Sequence, residues 1–136
     1  MSMFSAFDIA GSAMSAQSQR MNVTASNMAN ADSVAGPDGE TYRAKQVMFE
    51  SQANNSRYGV GGVQVNEVVE DDSPLRLEYM PNHPAADEDG YVAKPNVEPV
   101  HEMVNMISAS RSYQANVEVF NTSKQMLMQT LSLGEG

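Results

Sequence analysis

Near the start of the chain, Phe7, Met14, Met21 and Met28 recur every seven positions. Ala10, Gln17, Thr24 and Ala31 fill the places between them, at alternating steps of three and four. This is an a/d seam over four heptads, and it predicts a helix from about Met3 to Ala31. The flanking positions are mostly Ser, Ala, Gln and Asn, with no Glu or Lys. A two-stranded coiled coil surrounds its seam with charge, so small neutral flanks predict a helix packed on several sides by other helices. Gly11 costs such a helix roughly 1 kcal/mol, which predicts fraying of this end when it is alone.

The same period returns near the other end. Pro99 suits the first turn of a helix, where its missing N–H is harmless. Met103, Met106, Ser110, Tyr113, Val117, Phe120, Lys124, Leu127 and Leu131 follow in steps of three and four, and Val100, Val104 and Ile107 widen the stripe at its start. Gly134 is the expected stop. At the helical rise both segments are roughly 40–50 Å long.

The pattern between them changes to short extended pieces. Gly36-Pro37-Asp38-Gly39 predicts a turn. Residues 42–50 are mixed and strand-like, and Val63–Val69 is rich in β-branched residues. Leu75–Tyr79 alternates apolar with charged residues, and Gly90-Tyr91-Val92 is a short extended segment. The predicted class is α+β. Long terminal helices (1–31 and 99–134) pack as a coiled-coil-like pair or bundle and form a helical core, with a loop and β-rich insert at 32–98. An insert this small cannot bury both stripes. The termini are therefore expected to pair with each other and with neighbouring copies, and to be partly disordered in an isolated subunit.

Charge sharpens this division. Of the net charge of −9, residues 1–30 carry none (Asp8, Arg20) and residues 99–136 carry −1. The middle holds −8, from 13 acids and 5 bases. An acidic chain does not suit nucleic acid or a polybasic membrane contact. With no cysteine, disulfides, thiolate metal sites and cysteine nucleophiles are excluded. No secretory-signal pattern precedes Arg20, and no apolar run approaches about 20 residues.

Candidate chemistry is sparse. Asp87-Glu88-Asp89-Gly90 lacks the ligand spacing and distal Glu of a calcium loop and reads as a solvated turn, as does Glu70-Asp71-Asp72. His83 and His101 have no second ligand at metal spacing. Met14, Met21, Met28, Met103 and Met106 fall on seam positions, which makes them packing residues. No catalytic, cofactor-binding or metal residues are expected, and no small-molecule substrate. The working residues are instead the seam positions Phe7, Met14, Met21, Met28, Met103, Met106, Tyr113, Val117, Phe120, Leu127 and Leu131. Asn is a mediocre helix former, so Asn27, Asn30 and Asn116 are candidates for interhelical hydrogen bonds that fix register; exposure or a helix end is the alternative for each.

Three blocks carry a family resemblance. Thr24-Ala25-Ser26-Asn27-Met28-Ala29-Asn30-Ala31 resembles the Asn-x-x-Asn signature of the flagellar rod and hook axial proteins. Tyr42-Arg43 follows it, with Thr41 where the family has Gly. Ser73-Pro74-Leu75-Arg76, Tyr79–Val92 and Pro95-Asn96-Val97 resemble the insert of the FlgC-type, proximal-rod branch. Glu102–Glu118, with Asn121-Thr122 and a Leu-rich tail, resembles the family's C-terminal block. The resemblance implies a structural subunit of a periplasm-spanning drive shaft. It also implies export through the flagellar type III apparatus without signal cleavage, and contacts with copies of itself, other rod proteins and the membrane-ring/export base. Two other readings stand beside it: a free-standing secreted coiled-coil binding protein and, more remotely, an enzyme.

Overall fold

A computed structural model describes residues 3–35, 38–52 and 61–136. The chain runs α1 (Met3–Ala29), β1 (Lys45–Ser51), β2 (Val63–Glu70), β3 (Arg76–Tyr79), β4 (Tyr91–Lys94) and α2 (Pro99–Gly134). This is the expected α+β arrangement of two long helices around a small β insert. Pro99 opens α2 after an extended Glu98, and the backbone N–H of Glu135 closes the last turn onto Leu131. α1 stops two residues short of the seam's end. There Asn30 turns its side-chain amide back onto the Ser26 carbonyl at 2.9 Å, and residues 30–32 form a turn. Side-chain bonding of this kind offers the backbone an alternative to another helical turn.

The two helices run antiparallel. The rings of Phe7 and Phe120 meet edge to face with centroids 4.8 Å apart, and Arg20 donates to the Asn105 side chain at 3.2 Å. The deepest positions in this hairpin are small. Ala10, Ala16 and Ala109 are buried, whereas the heptad methionines of α1 are only partly covered. Small residues let helix backbones approach closely, and the larger side chains flank the contact.

The insert is two antiparallel ribbons, β1–β2 and β3–β4. The register of the first shifts between Met48 and Phe49, a bulge that bends the strand. The ribbon is clipped to α1 through Ser12, whose Oγ accepts from the Val63 N–H at 3.1 Å and donates to the Ile9 carbonyl at 2.8 Å. Gly62 is required here, because a Cβ at that position would overlap the Ser12 side chain.

β3–β4 is held near the other end of α1. Val92, Pro95 and Val97 are fully buried, and Val97 clusters with Ala31, Ala44 and the flank of Tyr42. Polar bonds knit this small core together. The Asn96 amide donates to the carbonyls of Asp71 and Ser73 and accepts from the Ala44 N–H. Arg76 donates to the carbonyls of Ala31 and Pro95, each at 3.0 Å.

Two carboxylates tie the surface of the insert. Asp71 is held below the usual carboxylate range by the Ser73 hydroxyl and N–H, and Glu78 by Lys94, whose ammonium lies 2.8 Å away. Each group ionises more readily in the folded chain than in the unfolded one. Each therefore contributes stability above the ordinary carboxylate range, about 4, and loses it as pH falls through the lowered folded value. Urea titrations of wild type and Asp71→Asn should show a small deficit for the variant at neutral pH. The two midpoints should converge at the acid end of the range.

Candidate functional site

With so few residues buried, the surfaces left open define what this molecule can do. The chain exposes 9527 Å², against about 6,900 Å² for a compact monomer of its mass. Many of the exposed large apolar side chains lie on α2. Glu102, Met106, Ala109, Tyr113, Val117, Phe120 and Leu127 share the covered or half-covered face. The opposite face carries Val100, Met103, Val104 and Ile107, all at least half exposed. Val104, Ile107, Ser108, Arg111 and Ser112 line a shallow groove of about 390 Å³ there.

A second uncovered surface follows from length. α1 has 27 residues and α2 has 36. Extending the antiparallel register of Phe7–Phe120 and Arg20–Asn105 places Met3 opposite about residue 124. The turns that follow Lys124, up to Gly134, therefore run roughly 15 Å past the described start of α1. Met126, Met128, Leu131 and Leu133 are exposed on this overhang, Leu133 at 83%.

The expected seam residues are thus divided between two roles. Phe7, Met14, Met21 and Met28 on α1, and Met106, Tyr113, Val117, Phe120 and Leu127 on α2, are half-buried. Met103 and Leu131 lie on uncovered surface. The three candidate asparagines separate as well. Asn116 donates to the Ser112 carbonyl of its own helix at 2.8 Å, and Asn30 bonds Ser26 within α1. Asn27 is a buried hub, 1% exposed. Its amide donates to the Lys45 carbonyl at 2.8 Å, and its Oδ1 accepts from the Lys45 N–H at 2.9 Å and the Tyr42 hydroxyl at 2.8 Å. It joins the end of α1 to the start of β1 as a neighbouring strand would.

Sequence reasoning gave no role to Ser12, and quoted Arg76 and Asn96 only within the resembling blocks; the bonds of all three hold the insert in place. Nothing local marks Ser12 among the many serines of α1. The acidic turn at Asp87 has a structural task, since its Oδ1 accepts from the N–H groups of Asp89 and Tyr91.

Two family models match the chain. "Flagella basal body rod protein" covers residues 7–37, and "Flagellar basal body rod FlgEFG protein C-terminal" covers residues 88–133. These ranges take in most of α1 and, with β4, nearly all of α2. Similarity to curated relatives extends through the insert. The chain is 60% identical to "Flagellar basal-body rod protein FlgC" of Yersinia enterocolitica, over 99% of this chain and 100% of the relative. With the same coverage it is 59% identical to the protein of that name from Escherichia coli O157:H7 and 58% to that of Salmonella typhimurium strain LT2. The chain belongs to the FlgC family of flagellar basal-body rod proteins. As a family member it is a structural subunit of the basal-body rod, and rod membership implies association with other rod components and with itself. The reading as a free-standing coiled-coil binding protein is not favoured by these relatives.

Proposed function

We propose that this subunit polymerises through its terminal helices, and that the packed helices of many copies and of other rod proteins form a shaft transmitting torque across the periplasm. The observation that carries this reading is the apolar surface of α2 that α1 leaves uncovered: the Val100–Ile107 face and the Lys124–Gly134 overhang. Burying such surface releases roughly 25 cal/mol per Å². The paired helices, 1–31 with 99–134, are the rod-core unit in this reading, and 32–98 is the insert. The overhang is the segment that orders on assembly, because no described residue of α1 runs alongside it. The subunit reaches the rod through the flagellar type III export apparatus without signal cleavage and sits beside the membrane-ring/export base.

The test is Val104→Asp/Ile107→Asp, expressed in a strain lacking the wild-type gene. Both positions are exposed, so the purified chain should keep its helix content and change stability by no more than about 0.5 kcal/mol per site. In the rod each carboxylate would be buried without a partner. Swimming should be lost, with basal bodies stopped at the membrane ring, while the wild-type gene restores both. A double variant that folds and swims normally would remove the helix-face reading.

A further inference from the structure

β3–β4 inverts the usual polarity of a surface sheet. Its register pairs Leu77 with Ala93 and Tyr79 with Tyr91, which places these four residues on one face. That face points outward, with Leu77 67% and Tyr79 62% exposed and Tyr91 also exposed. The polar residues Arg76, Glu78 and Lys94 occupy the other face together with buried Val92. They are engaged there with the Ala31 and Pro95 carbonyls or with one another. A ribbon this short gains nothing in a monomer by turning its apolar side to water.

The outward face is also held ready. The Tyr79 and Tyr91 rings stack edge to face at 5.3 Å. Gly90, at φ +86°, takes a backbone conformation costly for other residues, and a Cβ there would press into the Tyr79 ring and Pro81. The loop between the strands is closed by Met80 N–H to the Gly90 carbonyl, by Asp87 N–H to the Tyr91 carbonyl and by the Asp87 carboxylate. Rigid, exposed tyrosines lose little entropy when a partner covers them, which is the character of an interface anchor.

Charge identifies what covers it. The turn beside Tyr91 bears Glu88 and Asp89, both exposed, within a segment that holds −8 of the chain's −9. A second copy is a poor match, because its insert repels this one. Among the described residues, Arg20, Arg43, Lys45, Arg76 and Lys94 are already engaged within the chain. We propose that the outer face of β3–β4 docks a different protein, one that presents Lys and Arg beside an apolar surface. This goes beyond the helix-mediated polymerisation above and uses a separate part of the molecule.

The test is photo-cross-linking in flagellated cells, with p-benzoylphenylalanine at Leu77 and, in a parallel strain, at Ile107. The expected Leu77 adduct joins this chain to a different protein at a Lys- and Arg-rich surface, identified by mass spectrometry. Glu88→Lys/Asp89→Lys should lower its yield at least about tenfold, since like charges meet across the contact. Glu88→Gln/Asp89→Asn, which leaves the turn's own hydrogen bonds in place, should give an intermediate yield. A Leu77 adduct between two copies of this chain, no adduct, or a yield indifferent to both variants overturns the proposal. The Ile107 adduct reports separately on helix packing. Its absence beside a normal Leu77 adduct counts against the polymerisation reading alone.

Discussion

Replacing Asn27 with Ala should destabilise the chain by roughly 2–4 kcal/mol, one of the two largest effects expected from a single substitution. Asn27 is buried and supplies both a donor and an acceptor to the backbone of Lys45. Its loss leaves an N–H and a carbonyl without partners, at about 1–3 kcal/mol for each buried group. The Tyr42 hydroxyl is partly spared because Ser26 Oγ lies 3.2 Å away, so Tyr42→Phe should cost about 1 kcal/mol. Asn30→Ala, three residues on, removes only a local bond to Ser26 and should stay within about 0.5 kcal/mol. Urea midpoints for the three variants, with unchanged slopes, would check the order. If Asn27→Ala proved as mild as Asn30→Ala, the clasp between α1 and β1 would not be holding the insert.

The second large effect is Ala109→Leu. Helix propensity would tolerate it, since Leu lies close to Ala on that scale and adds apolar surface. The structure predicts the opposite sign. Ala109 is 0% exposed, and interpolation between Phe7–Phe120 and Arg20–Asn105 sets it across from residues 16 and 17, where Ala16 is also buried. Three extra carbons at that approach force the helices apart, at about 1–3 kcal/mol. Ala115→Leu, on an exposed position of the same helix, is the matched control and should be nearly neutral. A lower midpoint for Ala109→Leu alone would locate the tight contact. A higher one would mean that the hairpin has room to spare.

How much of this was legible without coordinates depended on the range of the signal. The helices were legible because a seven-residue repeat persists over four turns or more and Pro99 and Gly134 mark one of them. The strands were legible as extended runs, but their faces were not. Leu77 and Tyr79 alternate with Arg76 and Glu78, a pattern that ordinarily turns the apolar side inward. What decides otherwise is distant in sequence: Arg76 reaches the Ala31 carbonyl, and Glu78 finds Lys94. Asn27 and Asn116 likewise read as equivalent polar interruptions of a helix. Only the fold brings Lys45 to one of them and leaves the other bonded to its own helix. Small residues carried information that heptad counting discarded, because Ala16 and Ala109, both off the seam, are among the most buried positions of the hairpin.

The unequal helix lengths have a consequence for symmetry. Among the described residues, one end of the hairpin alone carries a protruding apolar tongue, from Lys124 to Gly134. A copy that receives a neighbour's tongue therefore uses a different surface from the one it offers. Where each copy passes its tongue to the next and does not exchange it within a pair, the contact is heterologous, and repeating it builds either a closed ring or an open helix. In the proposed polymer each subunit docked in this way leaves one new tongue unsatisfied, and a difference of nine residues between the helices would set its growing direction.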